Sequence, residues 1–592
     1  MAPPGRWEGC RIARTGFAAS CAIGVRFPGA AQTSLFSRHA NYFCGVSRKL
    51  PSTGGVFMRT LASQSTRGMV VAPHHLAAEA GRDILREGGN AIEAMVAAAA
   101  VIAVVYPHMN SLGGDNFWLI SEGAGEPIGI DACGAAAQLA NRDHYRELGH
   151  LTSIPGRGPA AALTVAGAVS GWAAALERAQ AWGARLPLSR LLAAATAYAR
   201  DGYPVSASQA RNSASKRGEL ADQPGFAATF LPGGEPPTAG EPLRLPRLAA
   251  TLEHLARAGL DDFYRGELAG TLARDLEALG SPLRRSDLER HRALAVRPLA
   301  VRLRSGLLYG MPPPTQGLAT LLILGLFERL GVSEAEGFEH VHGIVEATKR
   351  AFLVRDAHVT DPAYARSDVQ SFLTPAWLAA EAGHIDRQRA LPWPRPAGPG
   401  DTVWLGAIDD QGRAVSFIQS IYWEFGSGVV LPASGIVWQN RGTSFGLDAA
   451  SPNALEPLRR PFHTIQPALG QLDDGRTMPI GTMGGEGQPQ TIAAVYTRHI
   501  LFGQDLAQAL AAPRWVLGRT WGSTVTNLRL ESRFDSALVE RLRAAGHDVA
   551  LVGPLEEMMG HAGVLVRHGR GPQAGLIEGA ADPRSDGSAA GV

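Results

Sequence analysis

Leu391-Pro-Trp-Pro-Arg-Pro-Ala-Gly-Pro-Gly-Asp-Thr-Val-Trp-Leu-Gly-Ala-Ile-Asp-Asp-Gln-Gly-Arg-Ala-Val-Ser-Phe-Ile-Gln-Ser-Ile421 is the stretch on which the fold turns. Its first ten residues carry four prolines, at 392, 394, 396 and 399, a composition that favours an extended, exposed linker. Thr402–Ile408 and Arg413–Ile421 then read as two strands around Asp409-Asp410-Gln411-Gly412, a hairpin. Thr402 therefore opens a strand directly after an exposed seam. Cutting the Asp401–Thr402 bond would give that residue a hydroxyl and a free α-amine. An α-amine titrates at about 7.7–8.0, so it can act as base for its own hydroxyl. Taken alone, the same threonine also suits a strand start by β-propensity, and one residue does not choose between the two.

Upstream of the seam the pattern is mainly helical. His75–Glu87 reads as a helix stopped by Gly88-Gly89, and Ala91–Val105 as a second, apolar all round and ended by Pro107. Further helices are expected from Pro187 and over Ala249–Ala258, Gly266–Leu279, Gly317–Leu330 and His340–Val354, with a Pro/Gly-rich connection at Phe230–Leu245. Met69–Val71 and Phe117–Ser121 read as short strands. The expected organisation is an N-terminal extension 1–57, a helical segment 58–401 and a strand-rich segment 402–592.

Composition excludes several classes. Of the 592 residues 45% are hydrophobic and 19% charged, enough apolar content for a large core and too little charge for a disordered chain. Fifty-six basic and 54 acidic residues give +2, so no field points to nucleic acid or a membrane surface. The longest apolar run, Ala94–Tyr106, is too short to span a bilayer. Four cysteines, three of them before residue 45, form neither a disulfide framework nor a metal-type pattern. No metal or cofactor is expected. The extension is Arg-rich, with Glu8 its one acid, and is expected to be poorly ordered. Three readings fit it: a weak signal peptide around Phe17–Val25, a presequence, or a start assigned ahead of Met58. A cytoplasmic location is expected, with export as the alternative.

The order of motifs adds a resemblance. Thr402-Val-Trp-Leu-Gly-Ala-Ile-Asp409 is followed by Phe425-Gly-Ser-Gly428, Arg459-Arg-Pro-Phe-His-Thr464 and Met483-Gly-Gly485. Gly68-Met-Val-Val-Ala-Pro-His74, Gly88-Gly-Asn-Ala-Ile92, Leu112-Gly-Gly-Asp115, Phe263-Tyr-Arg-Gly266 and Val345-Glu-Ala-Thr-Lys-Arg-Ala-Phe352 precede it. Together these resemble the γ-glutamyltransferase (γ-glutamyltranspeptidase) family of N-terminal-nucleophile hydrolases, from about Gly68 to Arg570. The resemblance implies an α+β fold, a four-layer αββα sandwich. It also implies a precursor that cuts itself before Thr402 into large and small subunits that stay together as a heterodimer. Thr402 becomes processing residue and nucleophile, and Gly484 and Gly485 the oxyanion-hole pair. Ser420 and Thr464 match hydroxyl positions near the nucleophile and substrate, and His463 precedes Thr464 in the same motif.

Four positions depart from the family's glutathione enzymes. Where the resemblance implies an arginine for the substrate α-carboxylate the chain has Cys133, and where it implies an aspartate for the α-ammonium it has Ser444. An asparagine position holds Tyr422 and a Gln/Glu position holds Arg441. A thiol cannot make the bidentate pair of a guanidinium. Ser420 and Tyr422, two apart on one strand, are expected to face one side and, with Arg441, to suit a small amide bearing a carboxylate. Tyr106-Pro-His-Met-Asn110, Gly400-Asp-Thr-Val403 and Gln439-Asn-Arg-Gly442 resemble the oxamate amidohydrolase-like branch. The expectation is a self-processing amidohydrolase for a small oxamate-like amide. Alternatives are a γ-glutamyl hydrolase or transferase on glutathione, a cephalosporin-acylase-like amidase, and a processing-dead binding or structural relative. No nucleic-acid partner or membrane span is expected, and a higher oligomer is left open.

Overall fold

Residues alternate between two cores along the central strands. In the computed structural model, which describes residues 62–393, 401–518 and 526–592, Met69 and Val71 enter one core, whereas Val70 and Ala72 enter another. Phe117 and Leu119 likewise part from Trp118 and Ile120, and Trp404 and Ile408 from Val403, Leu405 and Ala407. A period of two with both faces apolar means a sheet covered on both sides. The second sheet mirrors this: Leu469 and Leu565 join the core shared with the first, while Ala468, Val564 and Val566 face a third core. Three apolar cores separate four layers, helix–sheet–sheet–helix. The α+β sandwich expected from the resemblance is the observed architecture.

Each sheet has seven strands and draws them from both sides of the Asp401–Thr402 bond. The first runs Ser588–Gly591, Gly68–Ala72, Asp401–Asp409, Ala414–Tyr422, Asp115–Ser121, Ile128–Ala132, Leu294–Val296. The second runs Ser63–Ser65, Ile577–Ala581, Ala562–Arg567, Thr477–Thr482, Ala468–Leu472, Gly306–Gly310, Leu299–Leu303. The picture of a helical first part beside a strand-rich second part is thereby corrected. The upstream segment supplies half of the sheet strands, and four of its seven pair with downstream partners.

Helices form close to the expected limits. His75–Arg86 and Ala91–Val105 pack on the first sheet, and every residue of the latter is buried. Asn90 and Glu93 form a capping box at its start, and caps of this kind contribute about 1 kcal/mol. Ala91 N donates to Asp409 Oδ2 at 3.1 Å, which ties this helix to the hairpin turn after Thr402. Gly317–Arg329 and Phe338–His358 cover the second sheet. The 230–245 connection also carries the short strand Pro242–Leu243. The extension 1–57 and linker residues 394–400 lie outside the described residues. No helix among the described residues is long and apolar enough to cross a membrane.

Candidate active site

Trp404 sets the height of Thr402 between the sheets. Its indole fills the space that Gly481 and Gly563 leave open, where a Cβ would stand 2.0 and 2.4 Å from the ring. Two residues on, a Cβ at Gly406 would lie 3.3 Å from Leu565, so these strands of opposite sheets run in the same sense. Two residues back, Thr402 is wholly buried, and the register of its strand against Ala414–Tyr422 shifts between Asp401 and Val403. Gly484 and Gly485 follow Met483 with φ of +113° and +53°, left-handed values that glycine adopts without steric cost. Gly487 N donates to Gly484 O at 2.7 Å and closes the turn.

A cavity of about 320 Å³ is lined by Tyr422, Ser444, Phe462, Thr464, Arg355 and Glu486 among others. Tyr422, Ser444 and Thr464 therefore come together at one wall. Arg441 and His463 stand behind this wall, both buried. The Arg441 guanidinium lies 3.7 Å over the Tyr422 ring, and its Nη1 donates to Thr464 Oγ1 at 3.4 Å. Its Nε and Nη2, also buried, have no partner among the described residues. Ser420 does not face the cavity beside Tyr422. Its Oγ accepts from Tyr422 N at 2.8 Å, and Tyr422 has φ +83°, so the strand ends there and strict alternation no longer holds.

Cys133 is buried, and burial followed by the neighbouring Asp131 pushes its thiol well above the usual range, leaving it neutral. The nearby Arg460 is engaged by Asp131 at 2.7 Å and Asp361 at 3.3 Å. Ser444 Oγ is buried without a partner among the described residues. At neither position does this chain put a charge for a zwitterionic glutamyl head.

Sequence reasoning did not single out Asp115 as a site residue, although it ends the Leu112-Gly-Gly-Asp motif. Asp115 pairs with Ser420 across the sheet and is wholly buried. Its Oδ1 accepts from Gly134 N at 3.0 Å and Gly167 N at 2.9 Å, and Oδ2 lies 3.4 Å from His463 Nε2. Burial raises its carboxyl to about 7, against the pull of those two N–H groups and of Arg441. Burial, with Arg441 and Arg460 adding to it, holds His463 well below the usual imidazole range, so it is neutral. Burial also lowers Arg441 to about 10, which leaves it cationic at neutral pH. The charge beside Arg441 therefore changes near pH 7: neutral Asp115 below, carboxylate above. A substrate anion held at Arg441 would compete with that carboxylate, and its KM would then rise about fivefold from pH 6 to 8.5, roughly 1 kcal/mol. Initial rates on oxamate would measure this, and Asp115→Asn should flatten the rise. A neutral amide should show none.

Among the described residues, His342, Glu346 and His547 place ligand-type atoms within 4.8 Å of one another. They are already paired. Lys349 Nζ donates to Glu346 Oε1 at 2.7 Å, and His342 Nδ1 meets His547 Nε2 at 2.8 Å. Glu346 and Lys349 also bind Leu391 N and O, at 2.9 and 2.7 Å, and so fix the chain just ahead of the linker.

The γ-glutamyltranspeptidase family model matches residues 77–592. The chain belongs to that family. It is 56% identical over 528 residues to the oxamate amidohydrolase proenzyme of Klebsiella pneumoniae, covering 89% of this chain and 99% of that one. It is 40% identical over 534 residues to the glutathione hydrolase-like YwrD proenzyme of Bacillus subtilis, with the same coverage. Among solved structures, the cephalosporin acylase of Bacillus halodurans superposes with a TM-score of 0.83 at 33% identity, over 92% of this chain and 99% of that one. The protein is accordingly an enzyme, an amide hydrolase or acyltransferase of the N-terminal-nucleophile type.

Proposed function

We propose that this family member is a self-processing amidohydrolase for a small amide that carries a carboxylate next to the scissile carbonyl, with oxamate as the probe. Thr402 Oγ attacks the Asp401 carbonyl, the acyl group moves from nitrogen to oxygen and so frees the α-amine, and water hydrolyses the ester to release the Asp401 carboxylate and restore the Thr402 hydroxyl. The resulting segments, up to 401 and 191 residues long, stay paired because each sheet needs strands from both. In turnover the amine takes the Thr402 hydroxyl proton as Oγ attacks the substrate. Gly484 and Gly485 N–H groups hold the oxyanion, ammonia leaves with the proton, and water clears the acyl-enzyme.

The observation that carries the substrate class is Arg441. A wholly buried guanidinium with two donor nitrogens lacking acceptors among the described residues is costly unless an anion completes it. Cys133 and Ser444 support the same reading by leaving a glutamyl carboxylate and ammonium unmatched, as does the name of the relative at 56% identity. Fragment-verified protein assayed side by side on oxamate and γ-glutamyl 4-nitroanilide tests it. Turnover of oxamate alone is expected, and turnover of the anilide alone would sink it. One observation favours a second reading. The likeness to the cephalosporin acylase at a TM-score of 0.83 means that a bulkier acylase-type amide belongs in the same assay.

A further inference from the structure

The side chain of Gln316 reaches the turn that carries Gly484 and Gly485 from outside. Gln316 precedes the helix Gly317–Arg329 and is wholly buried. Its backbone N donates to His463 O at 2.9 Å, and His463 N donates to Pro314 O at 2.8 Å, which locks the 314–316 chain against the Phe462–Thr464 stretch. From there the side-chain amide spans two segments. Nε2 donates to Thr464 O at 2.5 Å and to Gly485 O at 2.7 Å. Both of its hydrogens are thereby used.

An amide can flip, and a flipped Gln316 would set its oxygen against two carbonyl oxygens. Arg355 prevents this by donating from Nη1 to Gln316 Oε1 at 3.0 Å. Arg355 is itself immobilised. Its Nη2 donates to Glu486 Oε1 at 2.7 Å, its Nε to Asp356 Oδ1 at 2.8 Å, and its guanidinium stacks 3.8 Å over the Phe352 ring. Arg355 and Glu486 are both largely buried, at the wall of the cavity. The consequence for the turn follows from peptide planarity. Gly487 N on Gly484 O fixes the peptide plane that carries the Gly485 N–H, while Gln316 at 2.7 Å and Gln488 N at 3.3 Å on Gly485 O fix the next plane, which carries the Glu486 N–H. Gly485 is thus held from both sides, where glycine alone would leave its dihedrals free.

We infer that Gln316, oriented by Arg355, is the positioning residue that holds the Gly485–Glu486 peptide, and through the Gly485 dihedrals sets the turn that presents the Gly484 and Gly485 N–H groups, and that seats Thr464 relative to that turn. The inference rests on the reading of those glycines as the oxyanion donors. Preorganised donors matter only if they are already aimed when charge develops, so losing the brace lowers the rate of chemistry and spares ground-state binding.

Gln316→Met keeps the length and removes both donors. It is expected to lower kcat about 10- to 100-fold with KM unchanged within about threefold, somewhat less than the loss of an oxyanion donor itself. The midpoint of the kcat–pH profile should stay in place, because the Thr402 amine is untouched. Hydrogen exchange should accelerate at least ~10-fold in the peptide spanning Gly484–Gly487 and stay unchanged over Ala562–Arg567. If Gln316→Met does not fold, Arg355→Gln carries the same readouts with losses of about three- to tenfold. If the unaltered protein turns over neither oxamate nor γ-glutamyl 4-nitroanilide, the proposed substrate class has failed, and the exchange measurement still decides the brace. Unchanged exchange at Gly484–Gly487, or a loss carried by KM instead of kcat, overturns the inference.

Discussion

Thr402→Ala is expected to leave the 592-residue chain uncut and to cost at least about 10⁴-fold in turnover, the scale on which loss of a nucleophile is felt. Two functions end with one oxygen. Without Oγ nothing attacks the Asp401 carbonyl, so the α-amine that serves as base is never released. Without Oγ the substrate carbonyl also has no nucleophile. The fold should survive, since Thr402 opens a strand whose burial rests on Val403, Trp404 and Leu405, all in the apolar cores. A denaturing gel separates the outcomes: one band for Thr402→Ala, and two for the unaltered chain, the smaller beginning at Thr402. Thr402→Ser keeps hydroxyl and amine and should still be cut, with turnover lower by roughly one to two orders of magnitude. Continued cutting at Asp401–Thr402 in the alanine variant would remove Thr402 from both roles.

Local rules made part of this fold legible. An apolar run and Pro107 mark the Ala91–Val105 helix in the sequence, and the structure keeps those limits, adding Asn90 as its cap. The hairpin after the linker was readable because its alternation and its Asp-Asp-Gln-Gly turn agree. What escaped was pairing over distance. Leu299–Leu303 and Gly306–Gly310 are five residues each and contain no strong signal of their own. They become strands because Ala468–Leu472 lies beside Gly306–Gly310. The site divides in the same way. Tyr422, Arg441 and Thr464 sit at motif positions, so their order in the chain pointed to them. Gln316 gains its meaning from Gly485, 169 residues away, and from Arg355, 39 away. Asp115 gains its from burial beneath His463 and near Arg441. Neither kind of relation leaves a periodic trace.

Arg441→Met is expected to separate affinity from stability in opposite directions. A buried, charge-assisted contact to a substrate carboxylate is worth about 2–5 kcal/mol, so kcat/KM on oxamate should fall by roughly 10²- to 10³-fold. Oxamide has the same scissile amide and no charge, and its kcat/KM should change by no more than about fivefold. Stability should move the other way. Burial lowers the Arg441 guanidinium from 12.5 to about 10, so folding disfavours the cation by an amount on the order of 3 kcal/mol. Because the folded value lies below the unfolded one, that cost is present at every pH below about 10 and is relieved only as pH rises through it. Methionine fills much of the same space without a charge and can still pack on the Tyr422 ring, over which the guanidinium lies at 3.7 Å, and the hydrogen bond given up, to Thr464 Oγ1, is long at 3.4 Å. A urea titration at pH 7 should therefore find Arg441→Met at least as stable as the unaltered protein. Such a trade, with stability held back for a charge that only a ligand completes, is what a binding residue does and a structural one does not. A variant that melts earlier and still hydrolyses oxamate at the original rate would make Arg441 a cation that braces Tyr422 and Thr464, and the carboxylate would need another partner.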